Sequence, residues 1–117
     1  SKSQPLIAST LGHALIATEN DANFAEAEKV LRNAIARDRE NPFAWYQLGV
    51  VYEHRGDIPR AALATAERYS MMGDDQMALR SADAAMQGLK PGTVDYLRAQ
   101  DIAMVSRAAV EQKRKKK

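Results

Sequence analysis

The stretch that decides the fold is residues 45–52, Trp45-Tyr46-Gln47-Leu48-Gly49-Val50-Val51-Tyr52. Its tryptophan, its leucine and its second tyrosine recur at steps of three and four residues, the spacing that places side chains on one face of an α-helix. Asn41 and Pro42 come shortly before it, and they suit an N-cap and the first position of a helix. The stretch therefore predicts a helix that begins near residue 42 and packs through one large apolar face.

Short spacers divide the rest of the chain into segments of helix length. Gly56-Asp57 and Gly73-Asp74 are near copies, in which glycine can end one helix in the left-handed conformation and aspartate can cap the next. Alanine, the best helix former, occupies 21 of the 117 positions, and we expect it and Gly49 where helices approach closely. Residues that favour strands are too scattered for a sheet. The sequence predicts an all-α fold of about six antiparallel helices, near residues 3–18, 21–38, 42–55, 58–72, 74–88 and 93–113.

The stretch at 45–52 also matches, at every defined position, the W-x-x-L-G-x-x-Y pattern of the tetratricopeptide repeat, a helical hairpin of about 34 residues. Gly56 and Ala61 follow where that pattern places a turn and a small residue, although Thr65 replaces its aromatic residue. The same frame one period earlier and one period later predicts a solenoid of three helix pairs, at about residues 8–41, 42–75 and 76–112. A shifted frame that starts with the helix near 58–72 also fits, because every helix in such a stack packs on both neighbours.

The charge of the chain is concentrated at its end. The formal net charge is +2, but residues 113–117 are all Lys or Arg, and residues 1–112 carry 12 basic against 15 acidic groups. This acidic body lacks the broad basic surface that nucleic-acid binding needs, and no apolar run approaches the roughly 20 residues of a membrane span. We predict one helical domain over 1–112 and a basic, disordered tail over 113–117. A nucleic acid or an anionic surface would have to bind through that tail.

The sequence contains no pattern that indicates catalysis. It has no Cys, and neither His13 nor His54 belongs to an H-E-x-x-H sequence, which would place two zinc-binding imidazoles on one helix face. The phosphate-binding patterns G-x-x-x-x-G-K-[ST] and G-x-G-x-x-G are also absent from the sequence. We therefore predict that these residues form no enzyme and hold no metal or cofactor.

Five short segments add a more particular resemblance. In chain order they are Gln4-Pro5-Leu6-Ile7, Asn41-Pro42-Phe43-Ala44-Trp45, Ala61-Ala62-Leu63-Ala64-x-Ala66-Glu67, Gly73-Asp74 and Leu97-Arg98-Ala99-Gln100-Asp101-Ile102. The ordered set resembles the C-terminal tetratricopeptide domain of bacterial BepA-like metallopeptidases of the Ste-twenty-four type. In that family a zinc protease domain with H-E-x-x-H precedes the helical domain, and its ligands match no position here. The resemblance implies a periplasmic or otherwise exported accessory domain that acts in envelope protein quality control and engages either protein substrates or the outer-membrane assembly machinery.

The leading functional prediction is a protein-interaction module whose groove binds a peptide or a partner protein. In tetratricopeptide proteins the first helix of each pair lines the inner groove, and a Lys/Asn clamp there can bind acidic C-termini; Tyr46 and Val50 occupy two of the clamp positions, so we predict no such clamp. The predicted groove residues are Thr10, Ile16, Phe43, Tyr46, Val50, Glu53, His54, Met77, Arg80 and Ala84. The alternative is intramolecular regulation, in which the domain docks on its own protease domain through another surface.

Overall fold

The computed structural model describes residues 11–12 and 21–116 of the chain. Five helices follow one another: α1 (Asp21–Arg37), α2 (Pro42–His54), α3 (Ile58–Met71), α4 (Asp75–Gly88) and α5 (Val94–Lys115). Leu11 and Gly12 are helical as well, and this part of the chain contains no strand. The predicted all-α, tetratricopeptide-like fold is confirmed. The helix expected near 3–18 lies outside the described residues except for Leu11 and Gly12.

Four of the helices begin at a side chain that accepts a hydrogen bond from the backbone N–H three residues later. The donor-to-acceptor distances lie between 3.1 and 3.3 Å, and the capping residues are Asn41, Asp57, Asp74 and Thr93. Gly56 and Gly73 have φ angles of 79° and 78°, which glycine tolerates better than other residues. The glycine–aspartate spacers therefore end one helix and start the next, as the sequence predicts.

The last helix is longer than predicted. α5 continues to Lys115, which corrects the expectation of a disordered tail for residues 113–115. Lys113 Nζ lies 2.8 Å from Asp75 Oδ2 of α4. The basic residues also occupy the last turn of the helix, where positive charge interacts favourably with the helix dipole. A run of basic residues, which is typical of a frayed chain end, can therefore be helical where a carboxylate on a neighbouring helix pairs with it.

α3 occupies the centre of the stack and contacts α2, α4 and α5. Gly88 at the end of α4 lies against Pro59 at the start of α3, as antiparallel packing requires. α1 packs on α2, and α5 packs on α4. Within the described residues α2 and α4 do not contact each other, because α3 lies between them. None of these five helices has the length and hydropathy of a membrane crossing.

Two apolar clusters lie on the two sides of α3. The cluster between α1, α2 and α3 contains large side chains, among them Leu31, Trp45 and Tyr52. Trp45 is 9% exposed, and its indole N–H donates to the Arg39 carbonyl at 2.8 Å. The cluster between α3, α4 and α5 is built mainly from alanines, including Ala66, Ala78, Ala82, Ala85, Ala99 and Ala103. Small side chains let these helices approach closely, which accounts for much of the alanine content.

Two helical glycines form a matched pair for a stability test. A Cβ atom at Gly88 would lie 2.4 Å from Pro59 Cγ, whereas one at Gly49 would lie 3.7 Å from Ala64 Cβ, an ordinary contact. Gly49 lies against α3, but the distance there leaves room for a Cβ atom. We expect Gly88→Ala to lower the free energy of unfolding by about 1–3 kcal/mol through overpacking. We expect Gly49→Ala to leave it unchanged or raise it by up to about 1 kcal/mol.

Urea denaturation of both variants measures the difference. Equal effects of the two substitutions would mean that Pro59 moves aside without cost and that the α3–α4 contact is looser than described.

Candidate functional site

Five of the ten predicted groove residues lie on α2. Phe43 and Tyr46 are 47% and 50% exposed, Val50 is partly buried and Glu53 is exposed. Phe43, Tyr46 and Val50 follow each other at steps of three and four residues, so they share one face of the helix. His54 has a different environment, because its ring stacks on Phe24 of α1 with centroids 3.7 Å apart and planes inclined by 13°.

The other predicted groove residues lie on α4 or outside the described residues. Met77 is partly buried, whereas Arg80 and Ala84 are exposed. Since α3 separates α2 from α4, the structure does not bring these three residues into contact with those on α2. Thr10 and Ile16 fall outside the described ranges. The groove assignment as a whole therefore stays a prediction.

The exposed face of α2 continues onto α3 through a residue that the sequence analysis missed. The guanidinium carbon of Arg68 lies 5.2 Å from the centre of the Tyr46 ring and 4.7 Å from that of Tyr69, within the range of cation–π attraction. Ala61 and Thr65 precede Arg68 on the side of α3 that faces Gly49. Ala61, Thr65 and Arg68 follow each other at steps of four and three residues. Extending this face of α3 by one turn therefore predicts a contact between Arg68 and α2. We name Phe43, Tyr46, Val50, Arg68 and Tyr69 together the aromatic face.

A second surface feature is a cleft of about 320 Å³ bounded by α1, α2, α3 and the start of α5. Its apolar wall includes Ile35, Leu48 and Leu63. Helical periodicity places the α2 residues of this cleft, Trp45 among them, on the side of α2 turned away from Tyr46. None of the eight predicted groove residues that the structure describes lines it.

Four arginines line the cleft, and each has a carboxylate partner. Glu67 of α3 is 1% exposed, and it accepts from Arg39 at 2.8 Å and from Arg98 at 2.7 and 2.9 Å. The hydrogen bond to Glu67 raises the pKa of Arg98, which keeps that guanidinium charged.

The other two cleft arginines are paired nearer its opposite end. Arg60 lies 3.3 Å from Asp95, and Arg32 lies 3.7 Å from Glu28. Arg39, Arg60 and Arg98 thus pair with carboxylates on other elements of the fold, whereas the Arg32–Glu28 pair lies within α1.

The aromatic face differs from the cleft in both chemistry and exposure. It presents two half-exposed rings and a guanidinium, a combination that is common at protein interfaces. Across the part of the chain that the structure describes, no three His, Cys, Asp or Glu side chains come together as a possible metal site. We therefore take the aromatic face as the candidate functional site.

Comparison with known families supports a tetratricopeptide domain. Residues 30–80 match the family model described as tetratricopeptide repeat. The matched range covers the end of α1, all of α2 and α3, and the start of α4, and so includes the whole aromatic face. Such repeats generally mediate protein–protein interactions. Searches of curated proteins and of solved structures gave no match.

Tyr52, on the wall of the cleft, gives a test of the packing there. Burial raises the pKa of Tyr52 above its ordinary value of 10.0, and Arg32 opposes this effect. The folded state therefore holds the phenol proton more tightly than the unfolded state. Its contribution to stability is complete below about pH 10 and is lost as the pH rises through the folded-state pKa.

Tyr52→Phe keeps the ring and removes the titrating group, so we expect the variant to lose less stability than the original chain from about pH 9 to about pH 11. Urea denaturation across this range measures the slope of stability against pH. Identical slopes for the two proteins would contradict a buried, protonated Tyr52.

Proposed function

We propose that this chain is a non-catalytic protein-interaction module that binds a peptide or protein segment on its aromatic face. The observation that carries the proposal is the exposure of Phe43 and Tyr46, side by side on one face of α2. Large aromatic side chains that stand out of a surface are common energetic anchors of protein interfaces. The tetratricopeptide match spans this helix, and the function general to such repeats agrees with the proposal.

The proposed binding surface extends beyond the aromatic face. Met77, Arg80 and Ala84 on α4 form its second side in this proposal, and Glu53 lies at its far end along α2. Thr10 and Ile16 would extend it toward the start of the chain. A surface of this breadth suits an extended segment of a partner rather than a small molecule. We propose protein partners and no nucleic acid.

The wider role that we propose follows the resemblance to BepA-like metallopeptidases. In that role the chain is the accessory domain of a periplasmic or otherwise exported zinc protease and presents proteins to it during envelope quality control. The ordered set of matching segments supports this role, and most of that set lies in α2, α3 and α5. The tetratricopeptide match is compatible with this role, but it says nothing about a protease domain.

A matched pair of variants on α2 tests the binding surface. Tyr46→Ala should weaken binding at least about tenfold while costing only about 0.5–1 kcal/mol of stability, because the ring is half exposed and lies against the Arg68 guanidinium. Trp45→Ala should lower the free energy of unfolding by about 3–5 kcal/mol, because Trp45 is buried. Peptides selected from a random library against the original chain provide the binding probe, and urea denaturation gives the stabilities.

Two results would contradict the proposal. If Tyr46→Ala unfolds the chain as severely as Trp45→Ala, Tyr46 belongs to the core and not to a binding surface. If Tyr46→Ala is stable and binds every selected peptide unchanged, the aromatic face is not where partners bind.

A specific observation favours docking on another domain as a second function. Four apolar side chains of α5 are exposed at helical spacing: Val94, at the edge of the cleft, and Leu97, Met104 and Val105 on the outward side. The end of a helical stack normally presents a polar outer face, since nothing covers it. The apolar outer face of α5 therefore indicates that another protein surface covers it. In the proposed accessory role that surface is the protease domain of the same protein.

The reading frame upstream of Ser1 tests this second function first. We expect it to encode a domain with H-E-x-x-H and, before that, an export signal. The double variant Leu97→Lys/Met104→Lys should then weaken binding of the separately produced protease domain, because it places two charges in an apolar contact. Tyr46→Ala serves as the control and should leave that binding unchanged. An upstream frame without H-E-x-x-H would reject the metallopeptidase role while leaving peptide binding intact.

A further inference from the structure

Arg68 stands apart from the other half-buried arginines of this chain. Three described arginines, Arg60, Arg68 and Arg98, are partly buried. Arg60 pairs with Asp95, and Arg98 pairs with Glu67. Within the described residues Arg68 has no carboxylate within salt-bridge distance, and its charged group lies against two tyrosine rings instead.

The acidic residues nearest to Arg68 along the chain are occupied elsewhere. Asp74 caps α4 by accepting from the Met77 N–H at 3.2 Å, and Asp75 pairs with Lys113 at 2.8 Å. Glu67, the preceding residue, lies about 100° further round the helix and is bound to two other arginines. Among the residues that the structure describes, the cleft therefore holds a carboxylate, and Arg68 has none beside it.

Two tyrosine rings lie against the Arg68 guanidinium, and in the described part of the chain no group accepts a hydrogen bond from it. Tyrosine rings attract the guanidinium through their π faces and leave its N–H groups for other partners. A guanidinium has five N–H donors in a planar fork that matches the two oxygens of a carboxylate. Because desolvation strengthens such a pair, a partner that covers the Tyr46 ring would also strengthen its own contact with Arg68.

We propose that Arg68 reads an acidic side chain of the bound segment. The partner of the aromatic face is then a peptide segment in which Asp or Glu lies next to an apolar or aromatic residue. The carboxylate pairs with Arg68, and the neighbouring side chain packs on Phe43 and Tyr46. Arg80, exposed on α4, adds positive charge on the proposed second side of the surface. This inference rests on the proposed function and specifies the chemistry of its ligand.

The experiment begins with peptides selected from a random library against the original chain and made with amidated C-termini, so that only side chains supply carboxylates. We expect the selected sequences to be enriched in Asp or Glu beside an apolar residue. Fluorescence anisotropy then gives the Kd of one such peptide and of the same peptide with its acid changed to the amide. The protein variants are Arg68→Gln and, as a control with the same change in charge, Arg114→Gln on the exposed end of α5.

We expect Arg68→Gln to weaken binding of the acidic peptide by about 10- to 100-fold, the size of a charge-assisted hydrogen bond, and Arg114→Gln to change it less than about threefold. The amide peptide should bind the original chain and Arg68→Gln equally. Arg68→Lys keeps the charge without the fork and should bind at an intermediate level. It also serves as the folded variant if Arg68→Gln loses stability.

The outcomes separate the two proposals. Peptides that lose binding with Tyr46→Ala but bind Arg68→Gln and Arg68→Lys unchanged would overturn the role of Arg68 and leave the proposed function in place. A library that yields no peptide, or only peptides insensitive to Tyr46→Ala, would overturn both. If Arg68→Gln and Arg114→Gln weakened binding of the acidic peptide equally, the effect would come from net charge alone. That result would also overturn the inference.

Discussion

The structure depends on one buried carboxylate, that of Glu67 at the centre of α3. An unpaired carboxylate removed from water costs several kcal/mol, so this side chain can be 1% exposed only with cationic partners in place. Those partners are Arg39, in the turn between α1 and α2, and Arg98 on α5. Their side chains remain 55% and 36% exposed, which keeps their own desolvation cost small. Glu67 can therefore stay buried in α3 only when the α1–α2 turn and α5 are both packed against it and supply their arginines.

The pairing of Glu67 with two arginines also determines which surface has a positive charge available to a binding partner. Glu67 directs two guanidiniums into the cleft, where Arg60 pairs with Asp95 of α5 and Arg32 pairs with Glu28 within α1. Each of the four cleft arginines therefore already has a carboxylate partner. Arg68, one residue further along α3, points toward Tyr46 and meets aromatic rings instead of an acid. The cleft, with a volume of about 320 Å³ and an apolar wall, is the alternative binding site. The distribution of satisfied and unsatisfied charge favours the aromatic face.

Features set by residues close together in the chain, such as helix ends, could be predicted from the sequence. Contacts between distant segments could not. The stretch around Trp45 predicted the course and the buried face of α2, and the glycine–aspartate spacers predicted helix ends, because both signals are local. Glu67 and its arginines are 28 and 31 residues apart, and no periodicity marks such a pair. The helical course of residues 113–115 was missed for the same reason, since it involves Asp75 on another helix. Tyr46 could be predicted as exposed, whereas its contact with Arg68 required the packing of α2 on α3.

The two surfaces proposed for binding are physically separate, which bears on whether one protein could use both. The aromatic face belongs to α2 and α3, whereas the exposed apolar side chains lie on the outer side of α5, and the two share no residue. The inner side of α5 is fixed to α4 by Lys113–Asp75 at 2.8 Å and Arg107–Asp83 at 3.2 Å. A domain docked on the outer side would replace none of these contacts, and α3 lies between α5 and α2. In a stack where stability comes from contacts between neighbouring helices, such docking can hold the module in place while its aromatic face stays open to a second partner.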